Sequence, residues 1–489
     1  MSSEWPTARP DYEDLDACVL GEMGRWTVPG VAAGVWQDGH VETLGHGVAS
    51  LRTRQPVSGD TLFQIGSITK VFTATLAMRL VEEGLLDLDT PIIEYLPDLP
   101  LADEQARRTV TLRHLFAHTG GFEGDRFIDY GRGDWALANA VASYGSLRQW
   151  FPPGALFAYC NTGFSLAGRV IEQVLDVPFE IAMRERLFTP LGLENSVFFP
   201  EEAITYPAAL GYTRKHVGGP FAVARPYSLP RCVNPAGGIS STVGDLLRFA
   251  ALHIGDGELD DQRLLTDAST RAMRETRTAA PNIDIAYGIG WALRDVDGVQ
   301  VVGHGGSTRG FQASLLVVPA RRFALALLTN CGHGAKAMRE IERWALAHYR
   351  GLHLTLPDPI DAPASAFEAV AGVYERHDGR FTVTSETSPG QPRRLRIDLV
   401  TIDEESGAEE TEDPFWLRPV AANTFIVTEG LPRESLIDLI PAVDGRPTFL
   451  RAFGRLAARR DDQDAATANA TTKPAKKGKK NTKKAKQPT

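Results

Sequence analysis

A chain of 489 residues with 43% hydrophobic side chains can bury more than one packed core, so two folded units are expected. The net charge of −9 hides an asymmetry: eight Lys against three Asp put residues 461–489 at +5 and the remainder at −14. A body that acidic excludes non-specific nucleic-acid binding, which leaves only the tail for weak, salt-sensitive contact with polyanions.

Cys18, Cys160, Cys232 and Cys331 are far apart and form no C-x-x-C pair, so buried reduced thiols are expected and neither a zinc nor a dithiol redox site. The opening MSSEWPTARPDYEDLD is polar and acidic where a secretory signal needs a basic start and an apolar run. No later stretch has the uninterrupted apolar length of a membrane span, so a cytoplasmic protein is expected.

In chain order, GVAAGVWQDGHVETLGHGVASL predicts a hairpin turning at Asp38-Gly39. In the following TLFQIGSITKVFTATLAMRLVEEGLLDLD, apolar residues recur at helical spacing from Val71 to Leu85, with Gly84 near the end. Ser67 and Lys70 thus fall at the first turn of a helix. From about Pro91 to Met273 the pattern is helical, broken by Gly and Pro loops; it includes SLAGRVIEQVLDV and STVGDLLRFAALH, where Ser241-Thr242 before Asp245 read as an N-cap. Strand patterns return in VQVVGHGG, GFQASLLVVP and FALALLTN, followed by a helix from about Lys336 to Tyr349. Strands at both ends with helices between predict an α+β unit over residues 1–355, one antiparallel sheet flanked by helices with a helical insertion. The Pro-rich link LPDPIDAPAS leads to residues 366–457, where RFTVTS, RLRIDLV, FWLRPV, TFIVTE and TFLRAFG predict a small β-barrel or sandwich. Residues 461–489 are low-complexity and cationic, and disorder is expected there.

Three elements carry chemistry. A serine hydroxyl needs a base to accept its proton during attack, and Lys70, three residues along the same helical face, can reach Ser67. Tyr159 and Asn161 follow the turn Pro152-Pro153-Gly154. A phenol beside an ammonium is pushed towards phenolate and can shuttle a proton, while Asn161 can donate to a substrate carbonyl and accept from Lys70. The third element is His304-Gly305-Gly306, where glycines let a substrate backbone approach a strand, and the N–H of Ser307 can join that of Ser67 as an oxyanion hole. Each element alone is common in proteins without such a site. His118 in FAHTGG reads as a loop brace, no Gly-x-Ser-x-Gly elbow occurs, and no H-E-x-x-H cluster calls for zinc.

In this order and context, Ser-x-x-Lys, Tyr-x-Asn and His-Gly-Gly resemble the three signatures of the serine β-lactamase and penicillin-binding protein superfamily, in its class C-like and esterase branch. VTLRHLFAHTGGF, PLGLENSVF, PAGGISSTVGDLLRFA and AYGIGWALRD extend the likeness over about residues 15–350. The resemblance implies Ser67 as acylated nucleophile, Lys70 as its activating partner, Tyr159 as general base and Asn161 as substrate-orienting residue. His304 stands where many relatives carry the Lys of Lys-Thr-Gly, a change found in esterases and D-aminopeptidases that argues against efficient β-lactam hydrolysis. The segment opening AGVYE is similar to lipocalin-like C-terminal domains of some of these peptidases. The expectation is a metal-independent serine hydrolase without a cofactor, acting on small esters, D-amino-acid amides or short peptides. A β-lactamase or D-alanyl-D-alanine carboxypeptidase is the alternative within the family. A catalytically silent binding or filament-forming protein of the same fold is the alternative outside enzymes.

Overall fold

The computed structural model describes residues 11–214, 219–280, 285–387, 390, 392–403, 406–430, 434–441 and 447–460. The Lys-rich tail lies outside them. The chain divides near Asp358 into two compact units.

The first unit is built on an eight-stranded antiparallel sheet. Its strands are β1 (Gly30–Gln37), β2 (His40–Gly47), β3 (Thr278–Ala280), β4 (Ile285–Tyr287), β5 (Ala292–Val296), β6 (Val299–Thr308), β7 (Phe311–Val318) and β8 (Phe323–Thr329), in the spatial order β2-β1-β8-β7-β6-β5-β4-β3. Asp38 and Gly39 both take left-handed backbone in the β1–β2 turn, as the Asp-Gly signal predicts. Because β1 and β8 are interior strands with both faces covered, the sequence reads there as continuous apolar runs. Val31, Ala33 and Val35 with Phe323, Leu325 and Leu327 pack on one face; Ala32 and Trp36 with Ala324, Ala326 and Leu328 pack on the other.

The first face is covered by α1 (Leu15–Trp26) and the C-terminal helix Gly334–Arg350, through residues such as Cys18, Val19, Met338 and Ile341. The second receives the helical region, including α2 (Thr69–Glu82), α3 (Asn161–Leu175), the short α4 (Asn234–Gly237) and α5 (Val243–Ile254). Phe72 of α2 stacks on Phe249 of α5 with ring centroids 3.8 Å apart, a contact worth roughly 0.5–1.5 kcal/mol beyond the area it buries. That stack fixes the helix carrying Lys70. Thr242 caps α5 by accepting the Asp245 N–H at 3.2 Å.

The second unit is a closed eight-stranded antiparallel barrel, which selects barrel over sandwich. Its strands are Gly372–Arg376, Gly379–Glu386, Arg394–Ile402, Phe415–Ala421, Thr424–Glu429, Leu436–Pro441, Pro447–Ala452 and Arg455–Arg459; Gly379–Glu386 also pairs with Arg394–Ile402, which closes the ring. Inward alternation of Phe381 and Val383, Leu395 and Ile397, Phe415 and Leu417, and Ile437 and Leu439 fills the interior, joined by Phe367 and Val370 of the helix Ala364–Val370. Three of these strands escape the sequence pattern. Arg455–Arg459 is bounded by arginines, Gly372–Arg376 is short, and Leu436–Pro441 carries Asp438, whose carboxylate is buried against its cross-strand partner Arg451 at 2.8 Å.

Candidate active site

Ser67 sits in a 3-10 turn, Gly66–Ile68, that runs directly into α2, and Lys70 is the second residue of that helix. The turn is anchored by a short pairing of Phe63–Gln64 with Ser240–Ser241 and by the Ile65 N–H, which donates to Ile239 O at 3.0 Å. Gly66 takes φ +51°, a conformation that costs a side chain little only when there is none. A Cβ there would lie 2.8 Å from the Ser307 nitrogen, so the turn is pressed against β6. Gly306 meets it from the other side. A Cβ at Gly306 would overlap the Ile65 carbonyl oxygen and reach 3.3 Å from the Ser67 nitrogen. Two glycines thus bring the backbone at Ser67 and the backbone at Ser307 together, while Ser67 itself remains half-exposed.

Lys70 is fully buried. Its ammonium donates to Ser67 Oγ at 3.1 Å, to Asn161 Oδ1 at 2.6 Å and to the Ala236 carbonyl of α4 at 2.7 Å. It also lies 5.0 Å from the ring centre of Tyr159 and 5.3 Å from that of Phe164. Two of these acceptors are fixed protein oxygens and the third is the serine. If Lys70 gives up a proton it keeps both fixed bonds and presents a lone pair to the Ser67 hydroxyl.

Tyr159 is placed by a braced loop. His118 accepts the Cys160 N–H on Nδ1 at 3.0 Å, takes the Ala158 N–H on its carbonyl at 2.9 Å, and stacks on the Tyr159 ring at 4.3 Å. Cys160 Sγ caps α3 by accepting the Gly163 N–H at 3.2 Å. Asn161, the first residue of α3, donates through Nδ2 to Asp125, a nearly buried carboxylate.

His304 on β6 faces this group, its ring 6.1 Å from that of Tyr159 and 6.3 Å from that of Tyr287. Its Nδ1 lies 2.6 Å from Gly305 O, which can only accept, so that nitrogen carries the hydrogen. Burial, aided by the nearby Lys70 charge, pushes its pKa down to about 3. The ring is neutral, with Nε2 buried and without a hydrogen-bond partner among the described residues. Gly305 is exposed, and a Cβ there would meet only Ala313 O at 3.9 Å. Ser307 Oγ accepts from Gln312 at 2.9 Å. Cys18, Cys160, Cys232 and Cys331 are buried thiols.

The structure therefore gathers Ser67, Lys70, Tyr159 and Asn161 around one ammonium and sets His304, Gly306 and Ser307 along the adjoining strand, with Gly305 turned to open space. Asp125, Ala236 and Phe164 also belong to the constellation and carry no sequence signal of their own. Ala236 contributes a backbone carbonyl, and Asp125 lies far from Asn161 along the chain.

The Beta-lactamase family model matches residues 15–349. Penicillin-binding protein 4 of Amycolatopsis lactamdurans is 37% identical over 364 residues, covering 72% of this chain and 94% of its own. The structure of SurE with D-Leu superposes with a TM-score of 0.70 at 28% identity, covering 91% of this chain and 98% of that one, a share that extends into the second unit. D-alanine carboxypeptidase AmpC from Burkholderia cenocepacia gives a TM-score of 0.56 at 26% identity, covering 68% of this chain and 99% of its own. With its sheet, its serine–lysine turn and these relatives in agreement, the chain belongs to the β-lactamase family of the serine β-lactamase and penicillin-binding protein superfamily.

Proposed function

We propose that the protein is a serine acyl hydrolase acting on small esters and on amides or short peptides of D-amino-acid type, through an acyl-enzyme on Ser67. The observation that carries this reading is the ammonium of Lys70, held by two fixed oxygens with its third position on Ser67 Oγ. In this mechanism Ser67 Oγ bonds to the substrate acyl carbon as its proton passes to the Lys70–Tyr159 pair. The N–H groups of Ser67 and Ser307 stabilise the oxyanion. The C–O or C–N bond then breaks, and Tyr159 returns the proton to the departing alkoxide or amine. Water attacks the ester carbonyl in turn, giving a carboxylic acid and restoring Ser67. Asn161 orients the substrate amide with its remaining Nδ2 hydrogen. The D-amino-acid preference is supported by likeness to SurE, solved with D-Leu, and to a D-alanine carboxypeptidase.

Neutral His304 and side-chain-free Gly305 offer neither the cation nor the hydroxyl that would hold a substrate carboxylate. One charge-assisted hydrogen bond is worth about 1.5–3 kcal/mol, or about ten- to 150-fold in rate. A side-by-side assay of p-nitrophenyl butyrate, D-amino-acid p-nitroanilides and nitrocefin tests this. The expected result is a higher kcat/KM for the ester than for nitrocefin; the reverse order overturns the reading in favour of a β-lactamase. For the tail, charge alone supports weak polyanion contact, and identical elution of full-length and 461–489-truncated protein from heparin at low salt would remove it.

A further inference from the structure

The two fixed acceptors of Lys70 are each held from behind by a nearly buried carboxylate. Asn161 is one acceptor, and its amide has chemically different ends. A carboxylate only accepts, so Asp125 compels Nδ2 to face it and thereby turns Oδ1 towards Lys70. The other acceptor is Ala236 O, in the middle of α4. The first residue of that helix, Asn234, donates through Nδ2 to Glu180 Oε1 at 2.6 Å. Glu180 is itself gripped by Arg231, Nε to Oε1 at 3.1 Å and Nη2 to Oε2 at 3.0 Å. Thr73 completes the hold by donating to Pro235 O at 2.7 Å, which ties α4 to α2 one turn beyond Lys70. Both carboxylates are 6% exposed.

We propose that Asp125 and Glu180 are positioning residues that set the direction of the Lys70 ammonium, one through the Asn161 amide and the other through Asn234 and the α4 carbonyl. The proposal rests on Lys70 activating Ser67. Without Asp125 the Asn161 amide can rotate and present its NH2 to the ammonium; without the Glu180 charge the carboxylate that holds both Arg231 and Asn234 of α4 is weakened and the Ala236 carbonyl drifts. In either case the lysine no longer aims its third position at Ser67, so attack slows, while the contacts of an ester substrate, which has no amide for Asn161 to orient, persist.

The experiment measures, on the full chain, the rate of Ser67 labelling by a fluorophosphonate, kcat and KM on p-nitrophenyl butyrate, and Tm. Asp125→Asn and Glu180→Gln are each expected to lower the labelling rate and kcat by about ten- to a hundredfold, with KM within about threefold of wild type. Asp125→Glu, which keeps an acceptor-only group, is expected to retain more activity than Asp125→Asn. Thr73→Val, isosteric in a packed site, carries the same expectation for the α4 arm if Glu180→Gln does not fold. Folded variants with labelling and kcat within twofold of wild type, a rise in KM alone, or Asp125→Asn outperforming Asp125→Glu would overturn the proposal. Failure of the wild type itself to be labelled on Ser67 would instead overturn the hydrolase reading beneath it.

Discussion

Gly306→Ala is the substitution with the sharpest expected cost. The added methyl would overlap the Ile65 carbonyl oxygen and stand 2.8 Å from the Ile65 carbonyl carbon, whereas carbon atoms rest at about 3.5–4.0 Å. All the nearby atoms are backbone, so relief requires β6 and the Ser67 turn to separate by about 1 Å, a displacement that can cost about a hundredfold when it moves catalytic groups. The groups moved are the Ser67 and Ser307 nitrogens; removal of one oxyanion donor costs about 10²–10³ in kcat, or about 2.7–4 kcal/mol. Gly305→Ala, one residue away on the same strand, meets only Ala313 O at 3.9 Å and is expected to leave kcat within about twofold. Steady-state kinetics on p-nitrophenyl butyrate, with Tm for both variants, decide the matter. A Gly306→Ala enzyme with kcat within threefold of wild type would refute the oxyanion assignment.

Two further outcomes are expected. Activity should survive EDTA unchanged, because proton transfer is assigned to Lys70 and Tyr159; loss on chelation with recovery on adding zinc would contradict that. Acid should destabilise the fold: burial pushes the pKa of His253 and of His304 down to about 3, so each takes up a proton on unfolding between that value and 6.5, and stability falls as pH drops through the window by up to about 1.4 kcal/mol per unit for each. Glu172, raised by burial to about 7, acts oppositely between 4.5 and 7, so the loss steepens below pH 4.5. Urea midpoints at pH 7, 5.5 and 4 check this, and a flat profile would contradict the burial of both histidines.

Much of the fold was legible because its strongest signals are local. Asp38-Gly39 specifies a hairpin, Thr242 before Asp245 a cap, and the runs of β7 and β8 strands of one antiparallel sheet. A small all-β unit, barrel or sandwich, was visible through strands such as Arg394–Ile402, but closure into a barrel depends on Arg455–Arg459 and Gly372–Arg376, whose burial comes from partners distant in sequence. At the site, Ser67, Lys70, Tyr159 and Asn161 are common as separate motifs and stand out through their order along the chain and the family resemblance which that order carries. Their supports do not. Asp125 is one carboxylate among many until the fold sets it against Asn161, and Ala236 acts through a main-chain atom that any residue would offer. The neutrality of His304 likewise arises from burial beside Lys70 and from the Gly305 carbonyl, neither visible in the triplet itself.

The central claim, that Ser67 is the nucleophile, is tested most directly by intact-mass analysis of wild type and Ser67→Ala after incubation with a fluorophosphonate. A small residue in the 3-10 turn leaves the packing of α2 intact, so the variant should stay folded. One adduct on the wild type and none on Ser67→Ala is the predicted result. An adduct that persists in Ser67→Ala, with ester turnover retained, would contradict it and place the nucleophile elsewhere.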